Sequence, residues 1–170
     1  MSRLSLSFRQ ALAGAIAVFL MLLSSQASAL CTVTCSCVVS TTNVVFGTIN
    51  PLSLSNTDSA GNVAVTCGGV AGLLIPLQVD ISKGSGASYA SRTMSYGTSK
   101  LSYNLYQDSG YSMVFGDASS GTVDSSASIT IAAIGYATVN FPVYGRVFGA
   151  QTTMVPGPYS DTISVTLTYY

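Results

Sequence analysis

The chain has 170 residues, and its six Lys and Arg residues balance six acidic residues, so the formal net charge is zero. Charged residues make up only 7% of the sequence, and hydrophobic residues make up 48%. This composition provides no basic surface for nucleic acid or anionic lipid, and we expect neither as a partner.

The N-terminal region has the features of a secretory signal peptide. Two arginines precede an uninterrupted apolar run at residues 11–23, and the small-residue motif Ala27-Ser28-Ala29 follows. The run is too short to span a bilayer comfortably, so a transmembrane anchor is the weaker interpretation. We expect residues 1–29 to be cleaved and residues 30–170 to form one secreted domain. No later apolar run reaches spanning length, so we expect no membrane span after signal removal.

The cysteines all follow the predicted signal peptide. They are Cys31, Cys35, Cys37 and Cys67. Export to an oxidising compartment favours disulfides. A zinc site is a poor alternative, because the chain has no CxxC motif and no histidine.

Short apolar-rich runs between turn signals continue along the rest of the chain. This pattern predicts strands at residues 38–47, 62–67, 73–81, 101–106, 113–115, 129–134, 137–143 and 160–170. Segments rich in Gly and Ser predict loops at residues 82–97 and 119–126. No segment after the signal has helical periodicity of useful length. The chain is therefore predicted to be an all-β sandwich or barrel.

The last predicted strand alternates with a period of two. Serine and threonine residues would point to one face, and the apolar residues that would point to the other are Ile163, Val165, Leu167 and Tyr169. Because no hairpin partner follows this strand in the sequence, we expect its open side to be paired in some other way.

Residues suited to catalysis are scarce. Ser-His-Asp and Cys-His centres are excluded, because each needs an imidazole base and the chain has no histidine. All the acidic residues are aspartates, and those in Gly- and Ser-rich contexts, such as Asp108 and Asp117, are best explained as caps of turns. The ten tyrosines are better explained as half-buried strand residues than as a carbohydrate-binding surface. We expect no enzymatic activity, no cofactor and no metal.

A series of motifs runs through the whole of residues 30–170. After Cys37 come FGTINP at residues 46–51, GNVAVTC at 61–67, RTM at 92–94, LSYNLYQD at 101–108, VFGD at 114–117, YGR at 144–146 followed by Gln151, and GPYSDTI at 157–163. Together and in this order, these motifs resemble the spore coat protein U domain family. That family includes the Csu-type pilins of archaic chaperone–usher systems.

The resemblance implies an incomplete immunoglobulin-like β-sandwich that lacks its last strand. In that family a periplasmic chaperone lends the missing strand, and at the outer-membrane usher the N-terminal extension of another pilus subunit replaces it. An open groove beside buried strands would otherwise be an aggregation hazard. The residues that we expect to border this acceptor groove are Val44, Phe46, Ile163, Val165, Leu167 and Tyr169.

The resemblance also bears on the cysteines and on the segment before the first strand. It implies a disulfide between Cys37 and Cys67, because the family pattern places their strands side by side. Cys31 and Cys35 would then form a local pair or an intermolecular link. The possible donor residues are Leu30, Cys31, Val33 and Cys35. This segment is short, so the protein is predicted either to donate a weak strand or to accept a strand without donating one.

These observations predict a secreted structural subunit of a surface pilus or fibre. It would pass through the periplasm, be assembled by donor-strand complementation, and serve adhesion or biofilm formation. The alternative is a secreted or tip-located binding module, or a spore or cell coat protein, that does not polymerise. A functional N-terminal donor would favour the first hypothesis, and a donor segment that is too short would favour the second.

Overall fold

Alternating apolar and polar residues build an almost purely β structure. The computed structural model describes residues 35–132 and 135–170. Within these ranges the only helical element is a short 3-10 helix at Tyr89–Ser91. The strands are β1 (Ser36–Thr42), β2 (Thr57–Gly69), β3 (Leu74–Ile81), β4 (Thr93–Tyr96), β5 (Ser99–Tyr106), β6 (Ser125–Thr130), β7 (Gly135–Val147) and β8 (Val165–Tyr169).

The strands form two sheets. The larger sheet has the order β1-β2-β7-β5-β4, and the smaller has the order β6-β3-β8. Every pairing between these strands is antiparallel. The predicted all-β class and the immunoglobulin-like sandwich architecture are therefore confirmed.

The core lies between the two sheets and follows the alternation seen in the sequence. In β3, every second residue is buried, and the buried residues are Ile75, Leu77, Val79 and Ile81. In β2, the residues Val63, Val65 and Cys67 are buried in the same way. Burying one such aliphatic side chain contributes about 1.5–3 kcal/mol, so the facing rows hold the sheets together.

The structure corrects several predicted boundaries. The first strand ends at Thr42 and does not continue to Gly47. The segment 82–97 is not all loop, because β4 occupies its end. This strand has only four residues, and only one of them is buried, so it is too short for a period of two to be recognised in the sequence. The segment 113–115 forms isolated bridges. β6 begins at Ser125, within the predicted loop 119–126, and β8 begins only at Val165.

The aspartates of the turns act as caps, as the sequence indicates. Asp108 Oδ1 accepts the backbone N–H groups of Ser112 at 3.0 Å and Met113 at 2.7 Å. Asp117 Oδ1 accepts the N–H of Ser119 at 3.1 Å. Hydrogen bonds hold the pKa of both carboxyl groups below the ordinary value. The Met113 N–H contributes most at Asp108, and the Ser119 hydroxyl contributes most at Asp117.

The YGR motif also has a structural role. Arg146 forms a bidentate salt bridge with Asp58, from Nε to Oδ1 and from Nη2 to Oδ2, each at 2.7 Å. The Tyr111 ring covers the guanidinium, with its centroid 3.6 Å from Cζ. This contact fastens the turn that carries Tyr111, a residue with φ of 58°, to the outer face of the larger sheet.

Candidate functional site

A large groove opens between the two sheets along one side of the sandwich. Its volume is about 910 Å³, and two extended segments border it. We call residues 43–49 the 43–49 wall and residues 160–165 the 160–165 wall. The floor is apolar and is formed mainly by inward side chains of the larger sheet, namely Val63, Leu101, Tyr103, Leu105 and Val143.

The 43–49 wall exists because the chain leaves the larger sheet after Thr42. It crosses the inner face of β2 at Gly61, where a Cβ would lie 2.9 Å from the Val44 side chain. It then passes β7 at Gly145, where a Cβ would lie 2.7 Å from the Phe46 ring. Two glycines therefore provide the space in which this wall runs, and this crossing is the reason that the first strand ends early.

Alternation continues along the 43–49 wall although it belongs to no strand. Val44 and Phe46 are half-buried against the core, whereas Val45 between them is 71% exposed. The Phe46 ring meets the Tyr103 ring edge-on, with centroids 6.2 Å apart. The Ser59 hydroxyl donates a hydrogen bond to the Val45 carbonyl at 2.7 Å. The wall is thus a strand-like segment anchored mainly by side chains.

Asp161 anchors the 160–165 wall. Its Oδ1 accepts the backbone N–H of Ser85 at 2.9 Å and that of Thr162 at 2.9 Å. Its Oδ2 accepts the hydroxyl of Tyr103 at 2.7 Å. Burial, and secondly the bond to Asp161, raise the pKa of Tyr103. Among the described residues that line the groove, Asp161 alone carries a formal charge.

On each side of the groove, a stretch of backbone lacks a pairing strand. Among the described residues, β8 has only β3 as a hydrogen-bonded neighbour, so its other edge is open. The 43–49 wall has no backbone-to-backbone hydrogen bond within the same described ranges. Two unpaired edges above an apolar floor form the kind of arrangement that can accept an added strand.

The structure brings together four of the six residues predicted for the groove. Val44 and Phe46 line it from one wall, and Ile163 and Val165 line it from the other. Leu167 and Tyr169 lie further along β8, half-buried against the core, and do not line the cavity. The role of all six residues in accepting a strand stays a prediction.

Sequence reasoning did not identify the residues that shape the walls. Each of them lies in one of the motifs that resemble the family, namely Gly61, Tyr103, Gly145 and Asp161. Nothing in the sequence alone shows which motif residues meet, because Tyr103 and Asp161 are 58 positions apart.

Cys37 and Cys67 form a disulfide between β1 and β2, and their Cα atoms are 4.1 Å apart. The two residues lie directly opposite each other in the strand register, as the resemblance implied. Cys35 is also disulfide-bonded. The other possible donor residues, Leu30, Cys31 and Val33, and the predicted signal peptide lie outside the described residues.

No helix within residues 35–132 and 135–170 is long and apolar enough to cross a membrane.

Among the solved structures that match by comparison of folds, two are chaperone–tip subunit complexes. One is the crystal structure of the CsuC–CsuE chaperone–tip adhesion subunit pre-assembly complex from archaic chaperone–usher Csu pili of Acinetobacter baumannii. Its sequence identity to this chain is 19% and the TM-score is 0.46, and the match covers 78% of this chain and 39% of that chain. The other is a chaperone–tip adhesin complex of CFA/I fimbriae, with 11% identity, a TM-score of 0.32, and coverage of 76% and 42%. The chain thus spans about two fifths of the length of these solved chains.

No curated protein matches the sequence. The family model of the Spore Coat Protein U domain matches residues 22–166, which is most of the chain. The chain therefore belongs to the Spore Coat Protein U domain family.

Proposed function

We propose that this protein is a structural subunit of a surface pilus or fibre, assembled by donor-strand complementation. The observation that carries the proposal is the groove between the 43–49 wall and the 160–165 wall, which leads into β8. The groove has an apolar floor, β8 has an open edge, and the 43–49 wall has no backbone pairing among the described residues. An extended segment placed there would complete the hydrogen bonding of β8 and cover the apolar floor. Membership of the Spore Coat Protein U domain family supports this function.

The proposed partners follow from the exposure of the groove. A chain with such an opening needs a protecting partner before assembly, since open strand edges and apolar surface promote aggregation. A periplasmic chaperone would provide this protection, and an outer-membrane usher would exchange it for the donor segment of another subunit. The predicted signal peptide supports export, and adhesion or biofilm formation is the role that we propose for the assembled fibre.

A peptide-binding experiment tests the groove. The probe is a synthetic peptide of about ten residues, long enough to run about 33 Å as a strand, with Ile at alternate positions and Thr between them. We expect it to raise the Tm of the purified chain by about 5–10 °C at about 100 times its Kd, and to increase solubility. A control peptide of the same composition, with the Ile residues consecutive, should have little effect because it cannot place them all on one face.

Two substitutions in β8 localise the effect. Val165 lines the groove, whereas the neighbouring Thr166 points to the exposed face. We expect Val165→Asn to weaken peptide binding strongly, because it puts an amide into an apolar site. Thr166→Asn should bind as the wild type does. A wild-type chain that is a stable monomer, with a Tm and solubility that do not respond to the alternating peptide, would refute the proposed function.

A further inference from the structure

Arg92 is a fully buried cation that does not line the groove. Its side chain has 0% exposure. Among the described residues the salt bridge is that of Arg146 with Asp58, and Arg92 has no carboxylate within salt-bridge distance. It lies immediately before β4, in the RTM motif, after a loop rich in Ser and Gly. A buried charge without a salt bridge needs a physical explanation.

Neutral acceptors surround the Arg92 guanidinium. Nη1 donates to Asn104 Oδ1, and Nη2 donates to the carbonyl oxygens of Ser82 and Phe115, each at 2.8 Å. The Tyr89 ring centroid lies 5.1 Å from Cζ, and Nε has no partner among the described residues. Burial lowers the pKa of Arg92, which is the expected direction for a cation held away from water.

These acceptors come from separate parts of the chain. Ser82 follows the end of β3, Asn104 lies in β5, and Phe115 lies in an irregular segment that bridges to β5. An apolar side chain of similar size would avoid the cost of burying a charge, but it could not join these segments. The guanidinium is suited to the task because its donors point in several fixed directions.

One route from Arg92 to the groove runs through Ser82. The Ser82 N–H donates to the Ser164 carbonyl at 2.9 Å, and the Ser164 N–H donates to Ser82 Oγ at 2.9 Å. Because Arg92 holds the Ser82 carbonyl, it restrains the residue that is doubly bonded to the 160–165 wall.

A second route runs through the loop of residues 82–91. The Ser85 N–H donates to Asp161, and the Ser85 hydroxyl donates to the Thr93 carbonyl at 2.9 Å. Gly86 packs so closely on the backbone of Arg92 that a Cβ there would lie 2.7 Å from the Arg92 Cα. The loop is therefore held at the backbone of Arg92 and Thr93, and it in turn holds Asp161.

We propose that Arg92 is a positioning residue for the acceptor groove: its guanidinium holds the loop of residues 82–91 against β5, and this loop holds the 160–165 wall in the place where a donor strand must pair. The groove's use as an acceptor rests on the proposed function above. The chain of contacts from Arg92 to the 160–165 wall does not depend on the proposed function.

Amide hydrogen exchange, measured by NMR on the chain alone, tests this link. In Arg92→Met, we expect the amides of Ser85 and Ser164 to exchange about tenfold faster, the change expected from losing about one hydrogen bond of average strength. Amides in the pairing of β2 with β7 should change less than about threefold, because local opening is separate from global unfolding. Lys83→Met is the matched control. Lys83 is an exposed cation on the same loop, and among the described residues its ammonium donates a hydrogen bond only to the Ala87 carbonyl.

A uniform increase in the exchange rate of all amides in Arg92→Met would show that Arg92 only stabilises the whole fold, and it would overturn the proposal. Unchanged exchange rates at Ser85 and Ser164 would also overturn it. Asn104→Asp keeps the test decisive if Arg92→Met does not fold. It gives the guanidinium a carboxylate, so we expect slower exchange at the same two amides, by about tenfold. Unchanged or faster exchange in Asn104→Asp would contradict the proposal.

Binding of the alternating Ile peptide provides the functional readout. We expect Arg92→Met to weaken binding about tenfold relative to both the wild type and Lys83→Met. Equal binding would show that Arg92 does not position the groove. If the wild type does not bind the peptide, the proposed function fails, while the exchange rates still decide whether Arg92 holds the wall.

Discussion

Tyr103 donates a hydrogen bond of 2.7 Å to Asp161, and this contact joins the floor of the groove to its 160–165 wall. Tyr103 is 3% exposed, and Asp161 also accepts the backbone N–H of Ser85. The pair therefore ties together a core strand, a loop and the segment that leads into β8. Two of the sequence motifs that identify the family meet at this hydrogen bond.

We expect ionisation of Tyr103 to make the folded protein less stable at alkaline pH. Burial and the bond to Asp161 raise its pKa above the ordinary value of 10.0. Above about pH 10 the unfolded chain loses this proton while the folded chain keeps it, so stability is complete below pH 10 and falls as pH rises. We expect Tyr103→Phe to make this slope shallower by about 1 kcal/mol per pH unit, measured by denaturant unfolding between about pH 10 and 11.5.

The same substitution should lower stability at neutral pH. Tyr103→Phe removes a hydrogen bond to a charged partner, which we expect to cost about 1.5–3 kcal/mol at pH 7. Tyr136→Phe is the control, because the Tyr136 side chain is 85% exposed. An alkaline slope that is equal in the wild type and Tyr103→Phe would contradict the prediction.

Gly145 is predicted to be essential for the path of the 43–49 wall. A Cβ at this position would collide with the side chains of both Val44 and Phe46, so we expect Gly145→Ala to lower the free energy of unfolding by about 1–3 kcal/mol. Phe46→Leu should partly relieve this collision. In a double-mutant cycle, the double variant should therefore lose less free energy of unfolding than the sum of the losses in the two single variants. Strictly additive losses would show that Gly145 and Phe46 are not in contact.

The disulfide between Cys37 and Cys67 closes a loop that contains the whole 43–49 wall, with a sequence separation of 30 residues. We expect Cys37→Ser with Cys67→Ser to lower the free energy of unfolding by about 3–4 kcal/mol, from the entropy that the cross-link removes from the unfolded chain. Peptide mapping of the non-reduced wild type should give a fragment that joins these two cysteines. A fragment that joins Cys35 to Cys67 would contradict the assignment.

The alternating residues were the most predictable part of the fold. In β3 and β8, the period of two correctly indicated which side chains face the core, because burial of one face of a strand imposes that period. The position of Cys67 opposite Cys37 was accessible because the family resemblance places their strands side by side.

The features that shape the groove depend on contacts between distant segments. Gly61 and Gly145 resemble ordinary strand glycines until the 43–49 wall is seen to cross them. Arg92 follows a polar loop and would be taken for a solvated charge, although it is buried. A one-dimensional pattern contains the period of a strand but not the point at which a chain changes sheets or the partners of a buried cation.

The length of the possible donor segment bears on the position that we propose for the protein in a fibre. The experiment mixes purified complexes of this subunit with its chaperone and analyses the products on a gel under mild denaturation. If residues 30–36 are too short to fill the groove of a neighbouring copy, the gel should show no ladder of homopolymers. The physical reason is that side chains alternate, so a segment of this length would place only about three on one face. A ladder that survives mild denaturation would instead make the protein a shaft subunit.

Exchange of the β8 amides tests the central claim most directly. In the chain alone, the β8 amides that do not donate to β3 should exchange quickly, because the open edge leaves them without a partner among the described residues. After addition of the alternating Ile peptide, we expect these alternate amides, and amides of the 43–49 wall, to become protected by at least about tenfold. Peptide binding that leaves these amides unprotected, or that protects only the outer edge of β1, would contradict the claim that the groove accepts a strand.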